Sequence, residues 1–322
     1  MKTIYLDFLG FHPDLQIENS SIVKLLGKNY NVKISKDSQY VFIGSFNPYS
    51  YIRQTRDKIS IFYPGEAIFP DFNYFDYAIG FDEFNYDDRY FRFLPLANTK
   101  KRGNTAKTIN NPFNREFCNF IYANPDAHQN RDKFFHLLNK YKKVDSLGSH
   151  LKNTDLEIEP RGGNWYQGSI DTKSNYKFSL AFENALYKGY TTEKIISSFQ
   201  AKSIPIYWGN PNINKEIDPS GFINCHDYTS FEEVIERIKE IDNDKNQYLK
   251  MLKSSKSIFF ENNFHELQNQ NLISFLENIF DKEFHLAKRK PVGYWTSRHL
   301  DSLQMKPKNK SIFRNLFKKK MK

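Results

Sequence analysis

Short apolar runs alternate with polar segments of helical length in two successive blocks, and this alternation constrains the fold more than any other feature. The first block contains the runs KTIYLDFLG, QYVFIGSF, KISIFYPGE, FDYAIGF and YFRFLPL. The second block contains EFCNFIYAN, KKVDSLG, YKFSLAFEN, SIPIYWG and GFINCHD. Strands separated by helical segments favour parallel sheets that are covered by helices on both faces. The pattern predicts an α/β chain with two Rossmann-like domains, which we expect to face each other across a ligand-binding cleft.

A polar segment between the two blocks marks the predicted domain boundary. From Ala97 to Pro112 the sequence reads ANTKKRGNTAKTINNP, a composition typical of a linker. We therefore predict an N-terminal α/β domain over residues 1–107 and a C-terminal α/β domain over 108–264. A helix over 265–287 could cross back to the N-terminal domain, and residues 288–322 form a predicted basic amphipathic tail.

The positive charge is concentrated at the end of the chain. The net charge is +10, and thirteen Lys or Arg residues lie against two acids between Lys282 and Lys322. The rest of the chain is nearly neutral, which disfavours a nucleic-acid-binding face. The sequence KPKNKSIFRNLFKKKMK would place apolar side chains on one side of a helix, and such a segment can dock on an anionic membrane surface. A disordered solubilising tail or a nonspecific polyanion binder remains an alternative.

The two cysteines and the acidic residues show no metal-ligand spacing. Cys118 and Cys225 lie far apart in the sequence, which fits a reducing compartment. The only Asp-x-Asp sequence, from Asp242 to Asp244, ends a charged helix, where we expect a solvated surface. No window reaches the roughly 18 apolar residues of a membrane span. We predict a cytoplasmic protein without a tightly bound metal, peripheral on the inner face of the membrane.

The stretch FSLAFENALYKGYTTEKII, from Phe178 to Ile196, joins a buried strand to a helix start. Thr191 or Thr192 can cap the helix, which would place Glu193 and Lys194 in its first turn. A helix N-terminus offers free N–H groups and a partial positive charge, which suit a phosphate group. An ordinary capped surface helix explains the same spacing, so these residues alone leave both interpretations open.

Several motifs resemble those of the bacterial α-1,3/4-fucosyltransferases. The segment FENALYKGYTTEK resembles the family signature, in which Phe-Glu-Asn is followed by a Tyr-x-Thr-Glu-Lys ending. The similarity extends through IPIYWGNPNI, NFIYANPDAHQNR, YPGE and FDYAIGFDEFNYDDRYFRFLPL, in register from about Lys58 to Leu252. The resemblance implies a two-domain GT-B fold, GDP-fucose as the donor, and inversion at the anomeric carbon of fucose.

The resemblance also implies roles for individual residues. Glu66, in YPGE, matches the catalytic base on the acceptor side, and Asp82 and Glu83 are the reserve candidates. Arg131 and Lys194 match residues that grip the donor diphosphate, for which a guanidinium fork is well suited.

Three further residues match donor contacts in that family: Asn184, Tyr190 and Glu193. Glu183 could hold the loop instead of contacting the donor. Gly189 stands where many members carry Asp, and LEIEPRGGNWYQGSIDTKSN does not match the family pattern. The residues that contact guanine are therefore not assigned.

These inferences predict an enzyme that transfers L-fucose from GDP-fucose to GlcNAc, or to Glc, in a galactose-containing glycan. The expected linkage is the Lewis-type α-1,3, or α-1,4. No tightly bound cofactor is expected, and a loosely bound divalent cation could stimulate the transfer reaction. Two alternatives stay open: a GT-B transferase that uses another nucleotide sugar, and a membrane-docked glycan-binding protein without catalysis.

Overall fold

A computed structural model describes residues 1–94, 111–158, 164–254, 264–291 and 293 of the chain, which divides into two compact units. The first unit comprises Met1–Gly80, Asn85–Phe91 and the described residues from Ile273 onward. The second comprises Phe81–Phe84 and the described part of Arg92–Leu272. Most of the predicted linker and nearly all of the predicted tail lie outside the described residues. The domain limits given above therefore stay a prediction.

The first unit is built on a six-stranded sheet with the order β2-β1-β3-β4-β5-β6. The strands are β1 (Lys2–Leu9), β2 (Tyr30–Ile34), β3 (Tyr40–Ile43), β4 (Ile59–Phe62), β5 (Tyr77–Gly80) and β6 (Tyr90–Arg92). The pairs from β2 across to β5 are parallel, as predicted. Helix α1 (Ser21–Leu26) starts at the cap residue Ser20. β4 and β5 are buried along their whole lengths, which explains why they read as continuous apolar runs.

The second unit contains a five-stranded parallel sheet with the order β11-β10-β9-β7-β8. Its strands are β7 (Glu116–Phe120), β8 (Val144–Ser146), β9 (Tyr176–Phe182), β10 (Ile204–Trp208) and β11 (Ile223–Asn224). Its helices are α2 (Asn130–Tyr141), α3 (Trp165–Lys173), α4 (Glu193–Gln200), α5 (Phe231–Asn243) and α6 (Lys245–Lys253). Every residue of β9 and β10 is buried, so this sheet forms the centre of the unit.

Two helices follow, α7 (Phe264–Phe280) and α8 (Phe284–Ala287). The end of α7 belongs to the first unit, where the Phe280 ring packs edge-on against Tyr30 and Tyr40. None of the described helices has the length and hydropathy that a membrane span requires.

The residues after α8 are held by a buried carboxylate of the first unit. Asp76 Oδ1 accepts hydrogen bonds from the backbone N–H groups of Arg289 and Lys290, at 2.7 and 2.8 Å. The Lys290 ammonium donates to the Thr55 carbonyl at 3.0 Å and is buried. The start of the predicted basic tail is thus part of the packed first unit.

Asp242 corrects the expectation of a solvated Asp-x-Asp segment, because its side chain is buried against three partners. The carboxylate lies 2.5 Å from Lys177 Nζ and 3.1 Å from Lys142 Nζ, and it accepts a hydrogen bond from Tyr141. Burial raises the pKa of Asp242, but the hydrogen bonds from the two lysines outweigh burial and hold it below its usual value. Asp244 instead caps α6 by accepting from the N–H of Gln247. Asp242 is a structural counter-ion in this unit.

Removing the Asp242 carboxylate should destabilise the second unit strongly. We expect Asp242→Ala to lower the free energy of unfolding by about 3–5 kcal/mol, because it leaves the Lys177 ammonium buried without its counter-ion. The double variant Asp242→Leu/Lys177→Met removes both charges and should recover most of that loss. Urea unfolding followed by circular dichroism measures both. Equal losses in the single and double variants would contradict an unpaired charge as the cause.

Candidate active site

The loops that follow β7, β9 and β10 lie at the same edge of the sheet in the second unit. The register pairs Phe178 in β9 with Cys118 in β7, and Phe182 in β9 with Trp208 in β10. All three strands are parallel, so the loops that follow them leave from the same edge. Strand order reverses between β7 and β9, because the chain continues outward to β8 on one side and to β10 on the other. Ligands of open α/β sheets bind at such a switch point.

The carboxylate of Glu183, directly after β9, is the centre of this edge. It is fully buried, at 0% exposure. One oxygen accepts from the Thr192 N–H at 2.7 Å, and the other accepts from the Thr192 hydroxyl at 2.6 Å and from Lys194 Nζ at 3.1 Å. Thr192 precedes α4, but its hydroxyl donates to Glu183 and does not cap the helix. Glu183 therefore holds the loop, which is the role the sequence left open for it.

Lys194 is held as a cation beside this carboxylate. Burial opposes its charge, but the carboxylates of Glu183 and Glu193 outweigh burial and raise the pKa of Lys194. Glu193, the first residue of α4, lies 3.8 Å from Lys194 Nζ and is partly exposed. Both residues therefore lie in the first helical turn, as predicted.

Arg131 is buried near the start of α2, with 1% of its surface exposed. Its guanidinium lies over the Tyr122 ring at 4.6 Å, and Nη2 donates to the Asn124 carbonyl at 2.5 Å. Nε is 3.6 Å from an Asp132 oxygen. Within the part of the chain that the structure describes, the buried Nε and Nη1 have no hydrogen-bond acceptor. A buried guanidinium whose N–H groups lack acceptors suits an anionic ligand with several acceptor oxygens.

The loops that carry Arg131 and Lys194 are linked to each other. Tyr122 lies close enough to both cations that each lowers the pKa of its hydroxyl, although burial dominates and raises that pKa. The Asn184 carbonyl accepts from the N–H of His128 at 2.9 Å, which connects the loop after β9 to the loop before α2. The structure therefore brings Arg131, Asn184 and Lys194 to the same edge.

Tyr190 is almost entirely buried, at 2% exposure. Its ring packs edge-on against Phe81 with the centroids 4.8 Å apart. Whether it also touches a donor hydroxyl stays a prediction.

A second polar network supports the same loop, and sequence reasoning missed it. Glu216 is buried; it accepts from the Thr191 hydroxyl at 2.7 Å and is paired with Arg92. Asn210 accepts from the Gly189 N–H at 2.9 Å and donates to the Thr191 hydroxyl at 3.0 Å. These partners are distant from the loop in sequence, so no local pattern could have identified them.

The two reserve candidates for the base are engaged with the second unit. Asp82 accepts a hydrogen bond from the Tyr187 hydroxyl, and burial raises the pKa of its carboxyl. Glu83 accepts from the Asn212 amide at 2.7 Å and lies 3.7 Å from Arg92. Both carboxylates therefore help to fix the loops around Gly189 and Asn212.

Glu66 lies in the first unit, in the loop that follows β4. Its side chain is exposed, and its carbonyl accepts from the N–H of Ile68 at 2.8 Å. The predicted run KISIFYPGE therefore forms a strand only as far as Phe62, and the role of Glu66 as the base stays a prediction.

Within the described ranges, no group of three or more His, Cys, Asp or Glu side chains is arranged to hold a metal ion. Cys118 and Cys225 are both buried free thiols.

Comparison with known proteins yields matches over nearly the whole described chain. Residues 113–279 match the model of the C-terminal part of glycosyltransferase family 10 (fucosyltransferase), and residues 6–98 match that of the N-terminal domain of alpha-(1,3)-fucosyltransferase FucT. The chain is 30% identical to alpha-(1,3)-fucosyltransferase FucT of Helicobacter pylori over 331 residues, covering 88% of this chain and 66% of the relative. It therefore spans slightly less than two thirds of that relative's length.

Solved structures with the same fold include one α1,3-fucosyltransferase with GDP and one with GDP-fucose. The first is 28% identical, with a TM-score of 0.72, and covers 88% of this chain and 91% of that chain. The second is 29% identical, with a TM-score of 0.71 and the same two coverages of 88% and 91%. These likenesses and the two parallel sheets confirm the predicted α/β fold of GT-B type.

Adding a methyl group at Gly189 should disrupt the loop. Gly189 has a φ of +82°, and a Cβ there would overlap the carbonyl oxygen of Phe81. We expect Gly189→Ala to cost about 1–2 kcal/mol from the left-handed backbone alone, and more from the overlap. Gly65→Ala is the matched control, because a Cβ at Gly65 meets nothing within 4 Å. Thermal unfolding of both variants measures the difference, and equal midpoints would contradict the prediction.

Proposed function

The chain belongs to glycosyltransferase family 10, the fucosyltransferases, and from that premise we propose that it is an α-1,3-fucosyltransferase with GDP-fucose as its donor. We propose that the donor binds at the carboxyl edge of the second sheet, in the region predicted as residues 108–264. The acceptor binds to the N-terminal region predicted as residues 1–107.

One observation carries the donor assignment. Among the described residues, the buried Nε and Nη1 of Arg131 have no hydrogen-bond acceptor, and they lie at the edge where Lys194 is held as a cation. A diphosphate supplies the acceptor oxygens and the negative charge that this pair would satisfy. As the bond to fucose breaks, negative charge grows on the β-phosphate oxygen. The two cations would stabilise that charge most strongly in the transition state.

Inverting transfer requires a base on the acceptor side. In the proposed reaction the Glu66 carboxylate removes the proton from the acceptor hydroxyl as its oxygen bonds to C1 of fucose. The bond between C1 and the β-phosphate oxygen breaks on the opposite face, and GDP leaves with the electron pair. A β-linked donor then gives an α-linked product. Asn184, Tyr190 and Glu193 would contact the donor, and none of these roles requires a tightly bound metal.

We also propose an acceptor and a location for the enzyme. The acceptor is GlcNAc, or Glc, in a galactose-containing glycan, and the linkage is α-1,3, with α-1,4 as the alternative. The predicted tail would dock on an anionic membrane surface and keep the enzyme peripheral on the cytoplasmic face. The abundance of Lys and Arg beyond Lys282 supports this placement.

Selective binding of GDP tests the donor assignment. We expect isothermal titration to show binding of GDP and GDP-fucose and much weaker binding of UDP. Lys194→Ala should weaken GDP binding about 10- to 150-fold, because it removes a charged hydrogen bond to phosphate. Lys188→Ala is the matched control, since Lys188 is exposed in the same loop. Equal affinity for UDP would favour another nucleotide-sugar donor, and absence of nucleotide binding in a folded sample would favour a glycan-binding protein.

Replacing Glu66 by Gln tests the base. The variant keeps the size of the side chain but cannot accept the proton, so we expect the turnover number to fall about 10²- to 10⁴-fold. GDP affinity should stay unchanged, because the donor site lies on other residues. Glu18→Gln, an exposed substitution in the same unit, is the control. Unchanged transfer by Glu66→Gln would remove Glu66 as the base.

A further inference from the structure

Lys173, the last residue of α3, is a buried lysine that the proposed reaction does not use. Only 5% of it is exposed. Its ammonium donates to the Ser197 hydroxyl at 2.6 Å, and it lies 3.3 Å from the Lys194 carbonyl and 3.5 Å from the Ser198 hydroxyl. Lys177, four residues further on, is equally buried but is paired with Asp242. Among the described residues, no carboxylate oxygen lies within ion-pair distance of Lys173.

The partners of Lys173 converge on the main chain of Lys194. The Lys194 carbonyl accepts from the Ser197 hydroxyl at 3.1 Å and from the Ser198 hydroxyl at 2.8 Å, in addition to Lys173. Three side-chain donors therefore fix one carbonyl in the first turn of α4. This arrangement restrains the backbone from which the Lys194 side chain reaches Glu183.

The formal charges around Lys173 sum to zero, but none of the described carboxylates pairs with it directly. Glu193 and Lys194 face it from α4, and Glu183 faces it from the end of β9, while Glu183 is already bonded to Lys194. Asp171, on the same helix as Lys173, is exposed and accepts from Gln167. Burial dominates over the attraction of the two glutamates and lowers the pKa of Lys173 to about 8. A buried ammonium without a direct counter-ion lowers the stability of the fold, unless a ligand supplies the missing negative charge.

We propose that Lys173 is a positioning residue for the donor diphosphate, because it fixes the Lys194 backbone and adds a buried positive charge beneath the phosphate-binding turn. This inference rests on the proposed function, in which Lys194 contacts the diphosphate. The ligand is a nucleoside diphosphate, whose negative charge would stabilise the buried ammonium of Lys173.

The proposal makes nucleotide binding depend on pH. An anionic ligand favours the protonated form of Lys173, so binding near pH 8 should take up protons. If the neutral form binds poorly, the affinity for GDP should fall by up to about fourfold between pH 6.5 and 8.5, given an ordinary titration around pH 8. A purely structural role for Lys173 would change the affinity without this pH profile.

The test is isothermal titration with GDP at pH 6.5 and 8.5, in two buffers of different ionisation enthalpy. Lys173→Met keeps most of the side-chain volume but removes the charge, whereas Lys173→Arg keeps a charge that does not titrate. Lys202→Met is the control, since Lys202 is exposed just after α4 and loses the same charge. All proteins meet the same ligand, so ionisation of GDP cancels in the comparison.

We expect the wild-type protein and Lys202→Met to lose affinity with rising pH and to show buffer-dependent heats. Lys173→Met should bind several-fold more weakly at pH 6.5, and both Lys173 variants should lose the pH dependence. Wild-type pH profiles in Lys173→Met, or in Lys173→Arg if the first variant does not fold, would overturn the proposal while leaving the donor assignment intact. No GDP binding by the wild-type protein would instead overturn the proposed function.

Discussion

The buried carboxylate of Glu183 is the interaction on which the candidate site depends. A fully buried anion requires hydrogen-bond donors and a cation, and here Thr192 and Lys194 supply them. These bonds tie the end of β9 to the start of α4, so the loop between them is closed at its base. Gly209, after β10, has a φ of +151°, and a Cβ there would overlap the Glu183 side chain. The carboxylate thus constrains the loops that follow two adjacent strands.

The balance of charge at this edge explains why it suits an anion. Glu183 and Glu216 are each satisfied by partners within the protein. Two of the cations are less well satisfied within the described residues: Arg131 Nε and Nη1 have no hydrogen-bond acceptor there, and the hydrogen-bond partners of Lys173 are hydroxyl and carbonyl groups. Burial makes each of these positive groups costly, and the cost falls when a diphosphate supplies acceptor oxygens. Apolar residues would be more stable than these two cations in the absence of a ligand, so their presence points to binding.

How far the sequence predicts this structure depends on whether a pattern is local. The strands at the centres of both sheets were recognisable, because burial on both faces makes them continuous apolar runs. The edge strand β2 was missed, since most of its side chains are exposed and its pattern is weak. Helix α3 was missed because its buried face consists of Tyr166, Ile170 and Lys173, and a lysine in the third position interrupts the apolar spacing.

Asp242 was predicted to be solvated, but its side chain is buried. It follows Val234, Ile238 and Ile241 on the buried face of α5, so helical periodicity already placed it among apolar residues, whereas its charge suggested a solvated surface. Arg92 and Glu216 could not be found by either route, because they come together only through tertiary packing.

Tertiary contacts also occupy the two reserve candidates for the base, Asp82 and Glu83. Phe81–Phe84 belongs to the second unit although its neighbours in sequence belong to the first. Within that segment Asp82 is bound by Tyr187, and Glu83 is bound by Asn212 and lies near Arg92 and Lys215. A general base must release its own partners in order to take a proton. Both residues are thus better suited to hold the loop around Gly189 than to take a proton.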